Sequence, residues 1–418
     1  MRPVSYILTA LLLALVVTGT LPAPPLGDGG DYLVGFRLRV DASVVREAGG
    51  EVTRTFQLIP AVAARLSAEA AASLASKPQV AYVEVDAPAY ACYMAGEVLP
   101  WGIERIAAPS AWEGAGTGAA GAGVTVALLD TGIDYSHPDL AACYAGGVDV
   151  INHDSDPRDD NGHGTHCAGI IAAADNGPNP GGKNAGYAVV GVAPAVRLYA
   201  VKVLGANGSG HYSDVIAGLE WARNSGLKVA CLGMAGTLAS QALKQACDAC
   251  WAAGMVLLAP SGNDGTGLVG YPARYGNVLG VTATDEDNGH PSWSNFGQEV
   301  QLCAPGSNIM STMPMQACYL TTAYNYRTQY DCLSGTSMAT AHAAGVAALY
   351  WSQDPTASNF QIARRLRECA VGLTGGRDPY FGFGMVWAVP GKKAESSSLP
   401  AYSWSTQWTS AAFRPPAR

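Results

Sequence analysis

Val124-Thr125-Val126-Ala127-Leu128-Leu129-Asp130-Thr131-Gly132 is an almost unbroken apolar run that ends in an acid and a glycine turn. A strand buried on both faces has no polar alternation, so this stretch predicts one strand of a parallel sheet covered by helices. Asp130 then stands at the C-terminal end of that strand, the rim where open α/β sheets place their ligands. Downstream, the same pattern predicts strands over 197–204, 228–234 and 255–260, alternating with helices over 167–174, 213–224 and 240–253. The expected fold is α/β: a doubly wound, mostly parallel sheet flanked by helices.

The 418 residues are 49% hydrophobic and 14% charged, which suffices for a large core, and the formal net charge is -8. No cluster of Lys and Arg offsets that charge, which excludes nucleic acid as a partner. Fifty glycines without a G-X-Y period indicate many tight turns rather than collagen.

Upstream of the strand, residues 1–23 place Arg2 before an apolar run from Val4 to Val17 and small residues up to Ala23. As a helix that run is about 21 Å long, short of the roughly 30 Å hydrocarbon core, so it reads as a secretory signal. Pro24 after Ala23 keeps open the alternative of an uncleaved segment holding the protein at the membrane. Residues 31–86 give the order β-α-β-β-α-β, a split β-α-β unit of the ferredoxin-like kind, with Ser67 capping the second helix.

Downstream, Asp149, Asp154, Asp156, Asp159 and Asp160 fall in one loop. Such closely spaced hard oxygen ligands suit calcium, and a solvated acidic turn is the equal alternative. Gly162-His163-Gly164-Thr165-His166 follows, with His163 expected at the edge of a helix beginning at Cys167 and His166 read as structural. The stretch 205–212, with Gly208, Gly210 and Tyr212, forms one glycine-rich edge able to pair with an extended peptide. Gly233-Met234-Ala235 forms a second edge opposite it. Asn263, in the loop Ser261-Gly262-Asn263-Asp264-Gly265, offers an amide to a developing oxyanion. Finally, Ser334-Gly335-Thr336-Ser337-Met338-Ala339 opens an alanine-rich helix, so Ser337 sits near unpaired N–H groups and the positive end of a helix.

Most of the ten cysteines lie in apolar segments and read as core thiols, the Cys247-Asp-Ala-Cys250 spacing included. Cys318 and Cys332 bracket a Tyr/Thr-rich insertion in a chain expected to be exported, and a disulfide between them is expected. Cys92, Cys143 and Cys369 have no partner readable from the sequence. Residues 389–418, rich in Ser, Pro and aromatics, read as a loosely ordered tail.

Taken together, DTGIDYSHPDL (130–140), NGHGTHCAGI (161–170), SGNDG (261–265) and SGTSMA (334–339) resemble the subtilisin-like serine proteases, nearest to the proteinase K and thermitase branches. The chain order Asp130, His163, Ser337 is also theirs. The resemblance covers about 97–388 as a catalytic domain and, through the closing VAYVEVD (80–86), the region 24–91 as an inhibitory propeptide cut between 87 and 96. It implies Asp130, His163 and Ser337 as a catalytic triad with Asn263 in the oxyanion hole. It further implies polypeptide substrates, a self-processed zymogen inhibited by its own propeptide, and a secreted monomer.

By the same resemblance, Gly208, Gly210, Tyr212, Gly233, Met234, Ala235 and Gly270 line the substrate site. With no charge among the last four, an apolar or aromatic side chain is expected before the scissile bond. Calcium is expected at two places: Glu97 and Asp139 with carbonyls of loop 175–189, and Asp149, Asp154 and Asp156. Ala341 replaces the proline usual in the family, and Gly233-Met234-Ala235 replaces Ser-Leu-Gly. The other function class left open is an exported scaffold whose assembled site is silent.

Overall fold

The computed structural model describes residues 30–56, 59–86, 96–114, 120–176, 187–389 and 391. They form two compact units, one up to Tyr93 and one from Met94. The expected signal, the cut region up to residue 95, Cys92, most of loop 175–189 and nearly all of the tail lie outside the described residues.

The first unit runs β1 (Gly30–Phe36), α1 (Ala42–Glu47), β2 (Glu51–Thr55), β3 (Ala61–Leu66), α2 (Ala68–Ala75) and β4 (Val80–Val85). Its sheet has the order β2-β3-β1-β4, antiparallel throughout, which is the split β-α-β arrangement expected. Ser67 Oγ accepts the Ala70 N–H at 3.2 Å and starts α2, whose Leu74 packs with Val34, Val45 and Val62 in the core.

The second unit runs β5 (Gly96–Val98), α3 (Trp101–Arg105), α4 (Ala108–Gly114), β6 (Thr125–Asp130), α5 (Pro138–Ala141), β7 (Tyr144–Asp149), α6 (His163–Ala172), β8 (Tyr187–Val189), β9 (Arg197–Lys202), α7 (Tyr212–Asn224), β10 (Val229–Leu232), α8 (Gln241–Ala252) and β11 (Val256–Pro260). It continues with β12 (Leu279–Thr284), β13 (Val300–Pro305), β14 (Ile309–Thr312), α9 (Tyr319–Ala323), β15 (Tyr330–Leu333), α10 (Thr336–Gln353) and α11 (Asn359–Glu368). Seven strands form one parallel sheet in the order β13-β12-β11-β10-β6-β9-β7. This is the doubly wound α/β fold. β6 lies inside the sheet, with the strands that follow it divided between its two sides, so its C-terminal end opens onto a crevice.

The core explains the composition. Val126 to Asp130 of β6 are buried on both faces, as an uninterrupted apolar run requires. α10 is buried from Thr336 to Trp351 and is apolar all round, the mark of an interior helix. Its alanines and Gly345 allow close approach: a Cβ on Gly345 would come within 2.5 Å of Val192 Cβ. Among the described residues, no helix is long and apolar enough to cross a membrane.

Candidate active site

Asp130 ends β6 fully buried, and its Oδ1 accepts from the Thr131 N–H at 2.7 Å and meets His163 Nδ1 at 2.8 Å. Its Oδ2 is buried and has no hydrogen-bond partner among the described residues. His163 does not precede a helix starting at Cys167, as the sequence suggested, but is the first residue of α6. Gly162 makes this start possible, because it caps the helix at φ 116°, a left-handed conformation that glycine adopts without strain. The His163 side chain is a quarter exposed, so one edge of the ring is open. Burial lowers its pKa, but the charge and hydrogen bond of Asp130, with Asp159 behind, outweigh that and hold the imidazole above its ordinary value. Cys167 Sγ lies 4.0 Å from His163 Nδ1, and burial keeps it a neutral thiol.

Ser337 is the second residue of α10, only 7% exposed, and its hydroxyl donates to Gly233 O at 3.1 Å. Asn263 follows β11 and is exposed. Its Oδ1 accepts from Thr336 N at 3.0 Å and Thr336 Oγ1 at 2.9 Å, which turns the amide nitrogen away from Thr336. A Cβ on Gly335 would lie 3.3 Å from Met338 Sδ, 3.5 Å from Asn263 Nδ2 and 3.8 Å from Ser337 N, so both nitrogens border the space that glycine leaves. Asp130 and His163 thus meet directly, and Gly233, packed on Asp130, links them to Ser337 at the C-terminal edge of the sheet.

The two glycine edges take different forms. Gly205 N bonds Ser209 O and Gly208 N bonds Gly205 O, both at 2.8 Å, so 205–209 closes as a turn at the start of the first edge. Gly210 packs on Val203 O where no Cβ fits. Tyr212 links the edges, its hydroxyl donating to Leu238 O at 2.8 Å, just beyond Gly233, Met234 and Ala235. Gly270 faces Ala235, whose Cβ would be 2.9 Å from a Cβ at 270.

Several groups were not legible as parts of this site. Asp159 and Asp160 brace it, and both also line the cavity that holds Asp149, Asp154 and Asp156. Asp159 accepts from both Thr131 and Thr165, and Asp160 pairs at 2.6 Å with Lys202, a 1% exposed lysine that also donates to Thr131 O. His166 is structural, as expected: its Nε2 approaches Ile309 O at 2.9 Å, and burial drives its pKa down to about 3. Burial likewise takes His342, on α10, to about 4.

Of the candidate metal ligands, Asp139 is fully buried. Its Oδ2 accepts from Val189 N and Tyr330 Oη, while Oδ1 has no hydrogen-bond partner among the described residues. Glu97 sits on β5, paired with Ala188 next to Val189, so the two elements carrying this set are adjacent. Asp149, Asp154 and Asp156 line one cavity of 380 Å³ together with Asp134 and Arg158.

The expected Cys318–Cys332 disulfide is not formed: both are free thiols, as are the other seven described cysteines. Cys318 caps α9 and turns its sulfur toward Gly162, whereas Cys332 is fixed opposite Met310 in the β14–β15 pair. The insertion is held instead by Tyr319 N and Leu320 N bonding to Asp160 O and Asn161 O at 3.0 and 2.9 Å.

Fold and site together define a serine peptidase built on a doubly wound, parallel α/β sheet. A model of the subtilase family matches residues 121–384, and the chain belongs to that family as a serine-type endopeptidase. It is 39% identical over 394 residues to M-protease of Shouchella clausii (strain KSM-K16), covering 90% of this chain and 95% of that one. It is 38% identical over 367 residues to subtilisin E of Bacillus subtilis (strain 168), covering 85% and 88%. Alkaline elastase YaB of Bacillus sp. (strain YaB) is also 38% identical, over 359 residues, with 86% and 84% covered.

Proposed function

We propose that this protein is a secreted endopeptidase that cuts polypeptides through Asp130, His163 and Ser337, and that it is made as a zymogen which processes itself. The observation that carries this reading is the 2.8 Å Asp130 Oδ1–His163 Nδ1 contact. With Nδ1 committed to Asp130, Nε2 is the nitrogen left to take the Ser337 proton once that hydroxyl turns from Gly233 O. The serine oxygen adds to the scissile carbonyl, and the oxyanion is received by Asn263 Nδ2 and Ser337 N. His163 returns the proton to the leaving amine. Water, activated by the same imidazole, then releases the acyl group from Ser337.

Residues 24–91 act as the intramolecular inhibitor, their removal freeing the unit that begins near Glu97, and residues 1–23 direct export. The uncharged set Gly233, Met234, Ala235 and Gly270 selects an apolar or aromatic residue before the cut. Calcium fits the Glu97/Asp139 set, where Asp139 Oδ1 has no partner among the described residues, and the carboxylates of Asp149, Asp154 and Asp156; its contribution there is stabilising charge compensation.

The deciding experiment is Ser337→Ala. It removes the nucleophile with little change in volume, so the protein is expected to fold, to stay at precursor mass and to leave casein intact, while wild type matures and digests casein. Maturation and casein digestion by Ser337→Ala at the wild-type rate would end this reading.

A further inference from the structure

We propose that Asp159 is a positioning residue for this reaction, locking the segment that carries Asp130 to the helix that begins at His163; the proposal rests on the triad reading above. Asp130 and His163 are 33 residues apart and come from different elements. The Asp159 carboxylate, 6% exposed, is bonded to the neighbours of both. Its Oδ1 accepts from Thr131 Oγ1, Asn161 N and Gly162 N, each at 2.9 Å. Its Oδ2 accepts from Thr165 N at 2.8 Å and Thr165 Oγ1 at 2.6 Å. Thr131 adjoins Asp130, while Gly162 and Thr165 bracket His163. Thr131 Oγ1, which donates to Asp159, accepts from Gly164 N at 2.9 Å and closes the ring.

Five donors on one buried group require an anion. A neutral amide in its place would turn its own N–H groups against backbone N–H groups, so charge and acceptor count are both needed. On the far side, the α9 N–H groups of Tyr319 and Leu320 hold the carbonyls of Asp160 and Asn161, so the segment before His163 is fixed from two directions. Reacting groups held this way matter because a misplacement of about 1 Å costs about 10²-fold in rate.

Asp159 is also a charge near the imidazole that makes no bond to it. The groups acting on His163 are Asp130 from β6, Asp159 ahead of α6, and His166 and Cys167 on α6 itself. Lys202 of β9 is engaged by Asp160 and the carbonyls of Thr131 and Leu204. Removing the Asp159 charge therefore favours neutral His163 down to lower pH.

The test compares mature Asp159→Asn and Thr131→Val enzymes, counted by active-site titration, with Ser337→Ala assayed alongside. Asp159→Asn is expected to lose about 10²-fold in kcat with KM near wild type, and to move the acid limb of kcat/KM to lower pH. Thr131→Val, nearly isosteric and still carrying the Asp159 charge, is expected to lose kcat without that displacement. If Asp159→Asn yields no folded enzyme, Thr131→Val decides alone. Wild-type kcat per titrated site in either variant, or an unmoved acid limb in Asp159→Asn, overturns the proposal. Activity surviving in Ser337→Ala is a different failure, because it removes the triad reading itself.

Discussion

Gly233 is packed so tightly on Asp130 that a Cβ built on it would fall inside the contact distance of Asp130 Oδ2. The carbonyl of the same glycine receives the Ser337 hydroxyl at 3.1 Å, so one backbone unit touches both ends of the proposed triad. In this chain the carboxylate occupies the space that the serine usual in the family would need, so a side chain here must shift it. Gly233→Ala is expected to lower kcat by about 10²-fold or more per titrated site, the scale of a misplaced reacting group. Wild-type turnover in that variant would mean that the carboxylate tolerates the displacement.

The pH profile follows from the same carboxylate. His163 acts as a base only when neutral, and its pKa is held above the ordinary value of about 6.5. Activity should therefore be full on the alkaline side and be lost as pH falls through a value above 6.5. Asp130→Asn should cost about 10⁴-fold in kcat, the loss known for this exchange in another serine protease, by leaving the imidazole in the wrong tautomer. Stopped-time assays of kcat/KM across pH 5 to 10 check both, and an acid limb below 6.5 in wild type would contradict the first.

Specificity can be tested at Gly270. Its φ is not positive, so alanine is conformationally acceptable, but the new methyl would stand 2.9 Å from Ala235 Cβ. Wild type is expected to favour apolar and aromatic residues before the cut. Gly270→Ala should lose about 10-fold or more of kcat/KM on Phe-type substrates while sparing Ala-type ones, since steric terms of one to two methylenes carry that weight. Peptide-library profiling decides, and a strong preference for Lys or Arg would reverse the assignment.

Calcium removal supplies the fourth expectation. An ion bound only by the folded chain stabilises it by mass action, so a strong chelator should lower Tm and added calcium should restore it. Asp139→Asn should lower Tm in calcium-containing buffer and blunt the chelator's effect. Differential scanning calorimetry of enzyme blocked with a sulfonyl fluoride reads this without autolysis. A Tm indifferent to chelator, with no metal in the purified protein, would dismiss both sites.

The large elements were legible because their signals are local. The run from Val124 to Asp130 has no polar break, and the β-α-β-β-α-β order of the first unit is written in alternation and in the Ser67 cap. Asp130, His163, Asn263 and Ser337 each sit beside glycines and carry a motif within a few residues. What was not legible depends on contacts far apart in sequence. Nothing around Asp159 distinguishes a five-fold acceptor from another member of an acidic loop, because its partner Thr131 is 28 residues away. Lys202 is an exposed residue by type and a buried brace by position. The two cysteines flanking the insertion suggested a bond, whereas β15 and α9 hold their sulfurs on separate tasks.

The burial of α10 bears on how this protein loses activity. Ser337 rides on a helix with no wet face from Thr336 to Trp351, so beyond its open first turn the amides have no route to exchange short of dismantling the sheet against which the helix lies. Hydrogen–deuterium exchange at those amides should then report the opening free energy of the whole unit, while the exposed turn at 205–209, held only by its local bonds, exchanges far sooner. Inactivation by heat becomes an all-or-none event, with the nucleophile intact in every molecule that remains folded.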